Sequence, residues 1–184
     1  MNKLALLALL LCAGTAQAQS LTVDLGGAFT LIDQTGSERT QADPDGHHQL
    51  VFFGYANCQE ICSAALPLMA TTVEIVEAAG GTLRPVMITV DPTRDTPDAM
   101  AEALSVFHPD FVGLTGTEAA LQEAYTGYSV EFEELFVDPF YGAVFSHGSF
   151  VYLLDGDGTV LTLLPPVLGP ETMASIVTGY LEAS

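Results

Sequence analysis

The sequence predicts an α/β fold, a three-layer α/β/α sandwich built on a mixed sheet. Three observations predict it. Two short and almost continuous apolar runs, Gln49 to Tyr55 (QLVFFGY) and Leu83 to Val90 (LRPVMITV), have the composition of strands buried on both faces. Segments with helical spacing follow each of them. Near the end of the chain, Phe150 to Leu154 and Thr159 to Leu164 flank Asp155-Gly156-Asp157-Gly158, which reads as a hairpin with a short glycine-containing loop.

Taken in order, Asp24 to Ser37 (DLGGAFTLIDQTGS) reads as a short strand pair broken at Gly26-Gly27, and Gln41 to His48 as a polar loop. The strand at 49–55 is followed at once by a helix whose Leu66, Met69, Val73 and Val76 recur about once per turn. Ala79-Gly80-Gly81 ends it, and Pro67 inside it predicts an irregular first turn. After the strand at 83–90, Thr96-Pro97-Asp98 supplies an N-cap, a proline at the first helical position and an acidic first turn, for a helix running to about Phe107. Phe111 to Leu114 is a short strand, Thr117 caps a helix through about Tyr125, and Ser129 to Leu135 alternates like a strand with one wet face. Phe136 to Ser146, with Pro139 and Gly142, reads as an irregular loop, and Pro170-Glu171 opens a last amphipathic helix. Strand, helix, strand, helix, then hairpin and helix, is the order of a thioredoxin-like fold with helices on both faces of the sheet.

The first residues, MNKLALLALLLCAGTAQAQ, carry one positive charge at Lys3, an apolar run from Leu4 to Ala13 and small residues around Ala16-Gln17-Ala18. This is the pattern of a secretory signal peptide over 1–18, with one domain over 19–184 exported to the periplasm. The apolar run is short of the ~20 residues a spanning helix needs, and no later segment comes closer, so no transmembrane segment is expected once the leader is removed. Cys12 leaves with it, since Leu9, Leu10 and Leu11 do not supply the small residue a lipoprotein signal places ahead of its cysteine. Two cysteines then remain in the domain, too few for a fold stapled by disulfides.

Lys and Arg together number 4 against 23 Asp and Glu. Without Lys3 the strong bases are Arg39, Arg84 and Arg94. Nucleic acid is thereby excluded as a partner, because its recognition rests on cations that neutralise phosphate, and anionic membranes are disfavoured for the same reason. Such a surface attracts cations or basic protein patches.

The cysteines stand in the run Cys58-Gln59-Glu60-Ile61-Cys62. If Cys58 closes the strand-to-helix loop and Cys62 lies in the first helical turn, the pair shares one helix face with Cβ atoms about 5 to 6 Å apart. Small adjustments bring the sulfurs together either as a disulfide or on one metal ion, so the pair is at once a redox couple and a chelate. A helix N-terminus lowers thiol pKa, and thiolate is the form that ligates metal. Two soft thiolates suit Cu(I), and an added imidazole makes a three-coordinate site that also tolerates Cu(II). Zinc prefers a fourth ligand, and the domain has no third cysteine. Glu60 is placed either to contribute a carboxylate around the metal or as a solvated helix-start acid.

The segments VFFGYANCQEICSAAL, VMITVDPTRDTPDAM, FVGLTGT and FSHGSFVYLLDGDGTV, in that order and spacing, resemble the SCO (synthesis of cytochrome c oxidase), or SCO/SenC, family over nearly all of the mature chain. The resemblance implies that Cys58, Cys62 and His147 ligate one copper ion, Cu(I) or Cu(II). It also implies a copper metallochaperone, or a thiol reductase serving copper sites, in cytochrome c oxidase assembly. The partners it implies are the copper-binding subunit of that oxidase or another copper protein, and a copper-donor chaperone. The chain departs from the family where Gln59 and Ser63 replace prolines after the two cysteines and Ser146 replaces an aspartate before the histidine. The first two changes should loosen the cysteine loop, and the third removes an acceptor that would orient the imidazole.

The alternative function is thiol-disulfide oxidoreduction, with Cys58 attacking and Cys62 resolving. Against it stand the three-residue spacing and the absence of a proline before the strand Ser149 to Leu154. A peroxiredoxin-like peroxidase wants threonine and proline framing its cysteine, and Ala56-Asn57-Cys58 lacks them. His47 and His48 are expected to be solvent-exposed, with an auxiliary copper site as the sharper alternative, and His108 is expected at a helix C-terminus. Asp91 to Asp98 reads as turn and cap chemistry tied by Arg94. Glu131, Glu133, Glu134 and Asp138 read as a wet acidic face that can also guide a basic partner, and Met69, Met87 and Met100 as core.

Overall fold

The computed structural model describes residues 25–56 and 62–183, with backbone alone at 62 and 63. The leader expected over 1–18, Cys58 and Glu60 lie outside the described residues. The elements are β1 (Thr30–Asp33), β2 (Glu38–Thr40), β3 (His48–Gly54), α1 (Cys62–Ala78), β4 (Leu83–Thr89), α2 (Pro97–Ser105), β5 (Val112–Thr115), α3 (Glu118–Gly127), β6 (Phe132–Asp138), β7 (Gly142–His147), β8 (Val151–Leu154), β9 (Val160–Leu164) and α4 (Pro170–Leu181). Seven strands form one sheet in the order β2-β1-β5-β4-β3-β8-β9. β3, β4 and β5 run parallel, while β1 joins β5, and β8 joins β3, antiparallel, so the sheet is mixed as expected.

The centre of the sheet explains why its strands read so clearly. β3 pairs with β4 along all seven residues, His48 against Leu83 through Gly54 against Thr89, and both strands are buried on both faces. Alternation along β3 turns Phe53 toward α3, where its ring meets Tyr125 and Tyr128, and Phe52 to the opposite face. α1 and α4 pack together as one helical layer, with Leu66, Met69, Val73 and Val76 of α1 almost fully buried. The N–H groups of Gly80 and Gly81 close on the carbonyls of Glu77 and Val76, which ends α1 where the glycine pair predicts. Met69, Met87 and Met100 are core residues with no exposure. α2 reaches β5 closely because residue 113 is glycine: a Cβ there would lie 2.7 Å from Leu104 Cδ1 and 2.9 Å from Met100 Cβ.

Several expectations are corrected. The strand pair near the N-terminus is β1–β2, beyond Gly26-Gly27, and its break is the turn at Asp33, whose Oδ1 accepts from the N–H groups of Thr35 and Ser37; Asp24 lies outside the described residues. α2 stops at Ser105, two residues short, as Phe107 N–H turns back onto the Leu104 carbonyl. The segment 136–146 is not an irregular loop. It belongs to a two-stranded sheet, β6–β7, whose turn is held by Asp138 Oδ1 accepting from the N–H groups of Phe140 and Tyr141. The strand expected over 129–135 lies at 132–138. His47 lies in the polar loop as expected but is only partly exposed, and His48 begins β3. The Nδ1 of His47 lies 3.1 Å from Arg84 Nη2, in a knot where the buried Asp43 carboxylate meets Arg39 and Arg84, each at 3.4 Å.

Candidate metal centre

The β6–β7 arm is where the chain leaves the main sheet. Its register pairs Phe132 with His147 and Asp138 with Gly142, and Leu135 is an extra residue at a bulge. His147 therefore ends β7; it does not begin the following hairpin strand, which starts at Val151. The arm brings the imidazole over the C-terminal end of β3. The His147 ring centroid lies 5.6 Å from Phe52 and 5.9 Å from Tyr55, both edge-on. Tyr55 is almost fully buried, and its hydroxyl accepts from Phe145 N–H at 3.4 Å.

This placement matters because β3 leads directly to the cysteines. Cys58 follows Tyr55 by three residues in the sequence. The described part of α1 begins at Cys62. The imidazole thus lies at the end of the strand from which the sequence continues to the cysteines, and the donor chemistry of two cysteines and one histidine fits a soft ion. The positions of Cys58 and Glu60 themselves are not among those described.

Ring orientation follows from one hydrogen bond. His147 Nδ1 lies 2.9 Å from the Gly148 carbonyl oxygen. A carbonyl only accepts, so this contact assigns the proton to Nδ1 and leaves the lone pair of the neutral ring on Nε2. The acceptor for the ring is thus a backbone carbonyl two residues after Ser146. Ser146 points elsewhere, its hydroxyl 3.4 Å from the Glu133 carbonyl. Gln122, Val130, Glu131, Phe132, Glu133, Ser146 and His147 line a broad cleft of about 760 Å³, so the histidine borders an open and acidic approach. Glu131, Glu133 and Glu134 are exposed and Asp138 is half-exposed.

The turn at 91–98 does more than cap a helix. Thr96 does accept from Ala99 N–H as an N-cap, and Thr93 donates to Asp91 Oδ1 at 2.6 Å. The buried Asp95 carboxylate, however, accepts from the N–H of Ala56 at 3.1 Å and from the Thr89 hydroxyl at 2.6 Å, which pins the chain two residues before Cys58. Burial pushes the Asp95 carboxyl above its ordinary range, against the pull of those hydrogen bonds. Arg94 bonds Asp91 and also the carbonyls of Tyr141 and Ala143 on the arm. Sequence reading places Arg94 within its own turn and misses this reach; the available signal was its rarity, one of three strong bases in an acidic domain.

The other histidines lie apart from this site. His108 is buried at the end of α2, its Nε2 3.6 Å from Glu77 and its Nδ1 accepting from Asp110 N–H. Asp43, Asp45 and His47 come close enough together to suggest a cation site. The guanidinium of Arg84 already sits among them, 3.0 Å from Asp45 and 3.1 Å from His47, and supplies the positive charge.

Comparison with known proteins agrees with this architecture. The chain is 38% identical over 152 residues to an SCO2-like protein of Rickettsia conorii, covering 81% of this chain and 73% of that protein. It is similar to the crystal structure of yeast Sco1 with copper bound, at a TM-score of 0.79 and 32% identity over 88% of this chain and 90% of that one. The copper-bound structure of Bradyrhizobium japonicum ScoI matches at a TM-score of 0.75 and 30% identity, covering 85% of this chain and 99% of that one. The family model described as SCO1/SenC matches residues 17–182, almost the whole sequence. With the thioredoxin-like sheet and the histidine arm in place and this match over nearly the whole sequence, this chain belongs to the SCO1/SenC family.

Proposed function

We propose that the chain binds one copper ion through the thiolates of Cys58 and Cys62 and Nε2 of His147, and hands it on during cytochrome c oxidase assembly. The observation that carries this reading is the His147 ring, held at the end of β3, the strand that leads in sequence to Cys58, with its Nδ1 proton committed to the Gly148 carbonyl. Copper is supported by the copper-bound structures of the yeast and Bradyrhizobium relatives. The role in assembly is supported by the description of the Sco family as cytochrome c oxidase assembly proteins. Two thiolates hold Cu(I); the imidazole adds the harder donor that lets the same site accept Cu(II). Transfer proceeds by ligand exchange, with donors of the recipient replacing those of this chain one at a time. The recipient is the copper-binding subunit of the oxidase or another copper protein, and a copper chaperone loads the site. The leader at 1–18 supports a periplasmic location, and among the described residues no helix is long and apolar enough to cross a membrane.

Titration of the reduced, exported chain with Cu(I) and with Cu(II) tests the reading. The expected result is about one ion per chain and a sulfur-to-copper charge-transfer absorption with Cu(II), most of which His147→Ala loses. Should neither form hold copper while both reduce disulfides, Cys58 and Cys62 serve as the redox pair of an oxidoreductase instead.

A further inference from the structure

Among the described residues the β6–β7 arm shares no strand pairing with the seven-stranded sheet, and its β6 strand is exposed along nearly its whole length. Something other than sheet hydrogen bonds must therefore orient it, and with it His147. Near the base, the rings of Phe132 and Phe145 meet Tyr125 and Tyr55. Ring contacts of this kind are tolerant of sliding and do not set a register. One directed bond is made there, Phe145 N–H to the Tyr55 hydroxyl at 3.4 Å; at the other end of the arm, a second side chain of the main body makes several to its backbone. Arg94 donates through Nη1 to the Tyr141 carbonyl and through Nη2 to the Ala143 carbonyl at 2.7 Å, while its Nε donates to the Asp91 carboxylate. The guanidinium carbon lies 5.9 Å from the centre of the Tyr55 ring, within the range of a cation–π contact.

We infer that Arg94 is a positioning residue for the copper site: its guanidinium fork fixes the β6–β7 arm against the 91–95 turn and so holds the His147 ring over the end of β3. The inference rests on the copper reading only for its effect on metal. The arm itself is matched to the guanidinium. Gly142, between the two accepting carbonyls, has φ +79°, and a Cβ added there would collide with Arg94. Glycine at 142 and arginine at 94 are thus fitted to each other across the gap. From Ala143, β7 runs straight to His147 four residues on, so a shift where Arg94 grips is carried along a stiff strand to the imidazole. The same turn also holds Ala56, two residues before Cys58 in the sequence, through Asp95. Neighbouring residues of one turn therefore set the arm and the end of β3 relative to each other. Lysine cannot substitute, because a single ammonium does not span one carboxylate and two carbonyls in a planar fork.

Two measurements on the exported chain test this, and they separate its failure from that of the copper reading. In the metal-free protein, proton shifts of the His147 ring report its edge contacts with Phe52 and Tyr55. Arg94→Lys is expected to move them toward the values of an unstacked imidazole while the backbone spectrum of the main sheet stays in place. Unchanged His147 shifts in Arg94→Lys would overturn the inference whether or not copper binds. In the copper-loaded protein, Arg94→Lys should weaken Cu(II) binding by about 10- to 100-fold, the usual effect of losing a group that orients a ligand, and shift the charge-transfer band. Cu(I) held by the thiolates should change less. Gly142→Ala should reproduce the spectral change from the arm side, and the double variant should lose little more than either single one. Additive losses would mean that the two residues act separately and would contradict the pairing. Failure of the wild type to hold copper would instead remove the copper reading and leave the ring-shift result to decide the role of Arg94.

Discussion

β3 and the β6–β7 arm lie side by side at the site and are built on opposite principles. Six of the seven residues of β3 are buried, and its hydrogen bonds run to neighbours on both edges, β4 and β8. The arm pairs only with itself and exposes Leu135, Phe136, Val137 and Phe140 to solvent. One half of the proposed centre hangs from each. The contrast teaches that β3 takes its position from the core, whereas the arm that carries His147 depends on a few directed contacts, from Arg94 of the 91–95 turn and from the Tyr55 hydroxyl. A side chain on such an arm can move without disturbing the core, which suits the proposed release of an ion.

The comparison can be broken most forcefully in the core. Phe53→Ala removes a ring packed against Tyr125, Tyr128 and Tyr152 and should cost about 3–5 kcal/mol of stability in urea unfolding of the reduced, metal-free protein. A loss below about 1 kcal/mol would mean that the centre of the sheet is not the rigid platform described. A smaller effect is expected at the junction between the two regions, where it is sharpest as a pH dependence. The carboxyl of Asp95 is raised above 3.8 mainly by burial. The folded state then holds that proton more tightly than the unfolded one, so the contribution is fully present below pH 3.8 and is lost as pH rises through the folded value. Stability profiles of wild type and Asp95→Asn should therefore differ in slope just above pH 3.8, with the variant flatter, and run parallel near neutrality. Parallel profiles throughout would show that the carboxyl is not perturbed. The smallest effect belongs to the tip of the arm. Phe140 is 91% exposed, so Phe140→Ser should change stability by no more than about 0.5 kcal/mol, and a loss of several times that would show that the arm is packed into the body.

The same contrast governs what could be read from the sequence. β3, β4, α1 and the last hairpin were legible because burial leaves a pattern: continuous apolar runs for QLVFFGY and LRPVMITV, and one-turn spacing for Leu66, Met69, Val73 and Val76. Of β6–β7 only the first half of β6 was legible, with its bounds shifted, because an arm with little burial carries a weak pattern, and Pro139 and Gly142 look like loop residues when they serve a hairpin turn. His147 was singled out by resemblance to a family, and nothing in the local pattern says that a strand would carry it to Phe52 and Tyr55. The reach of Arg94 to Tyr141 and Ala143, and of Asp95 to Ala56, spans 39 to 49 residues of sequence. Contacts that distant follow from the tertiary fold and leave no local trace. His47 shows the converse error: a polar loop suggests exposure, yet the ion pairs of Asp43 with Arg39 and Arg84 draw it in.

X-ray absorption at the copper edge of the reduced, Cu(I)-loaded chain, compared with His147→Ala, addresses the ligand set most directly. The expected spectrum has two sulfur donors and one imidazole nitrogen, with the outer-shell scattering of the ring disappearing in the variant and both sulfurs retained. A spectrum of the wild type that shows no imidazole, or one that His147→Ala leaves unchanged, would contradict the assignment of His147 to the metal.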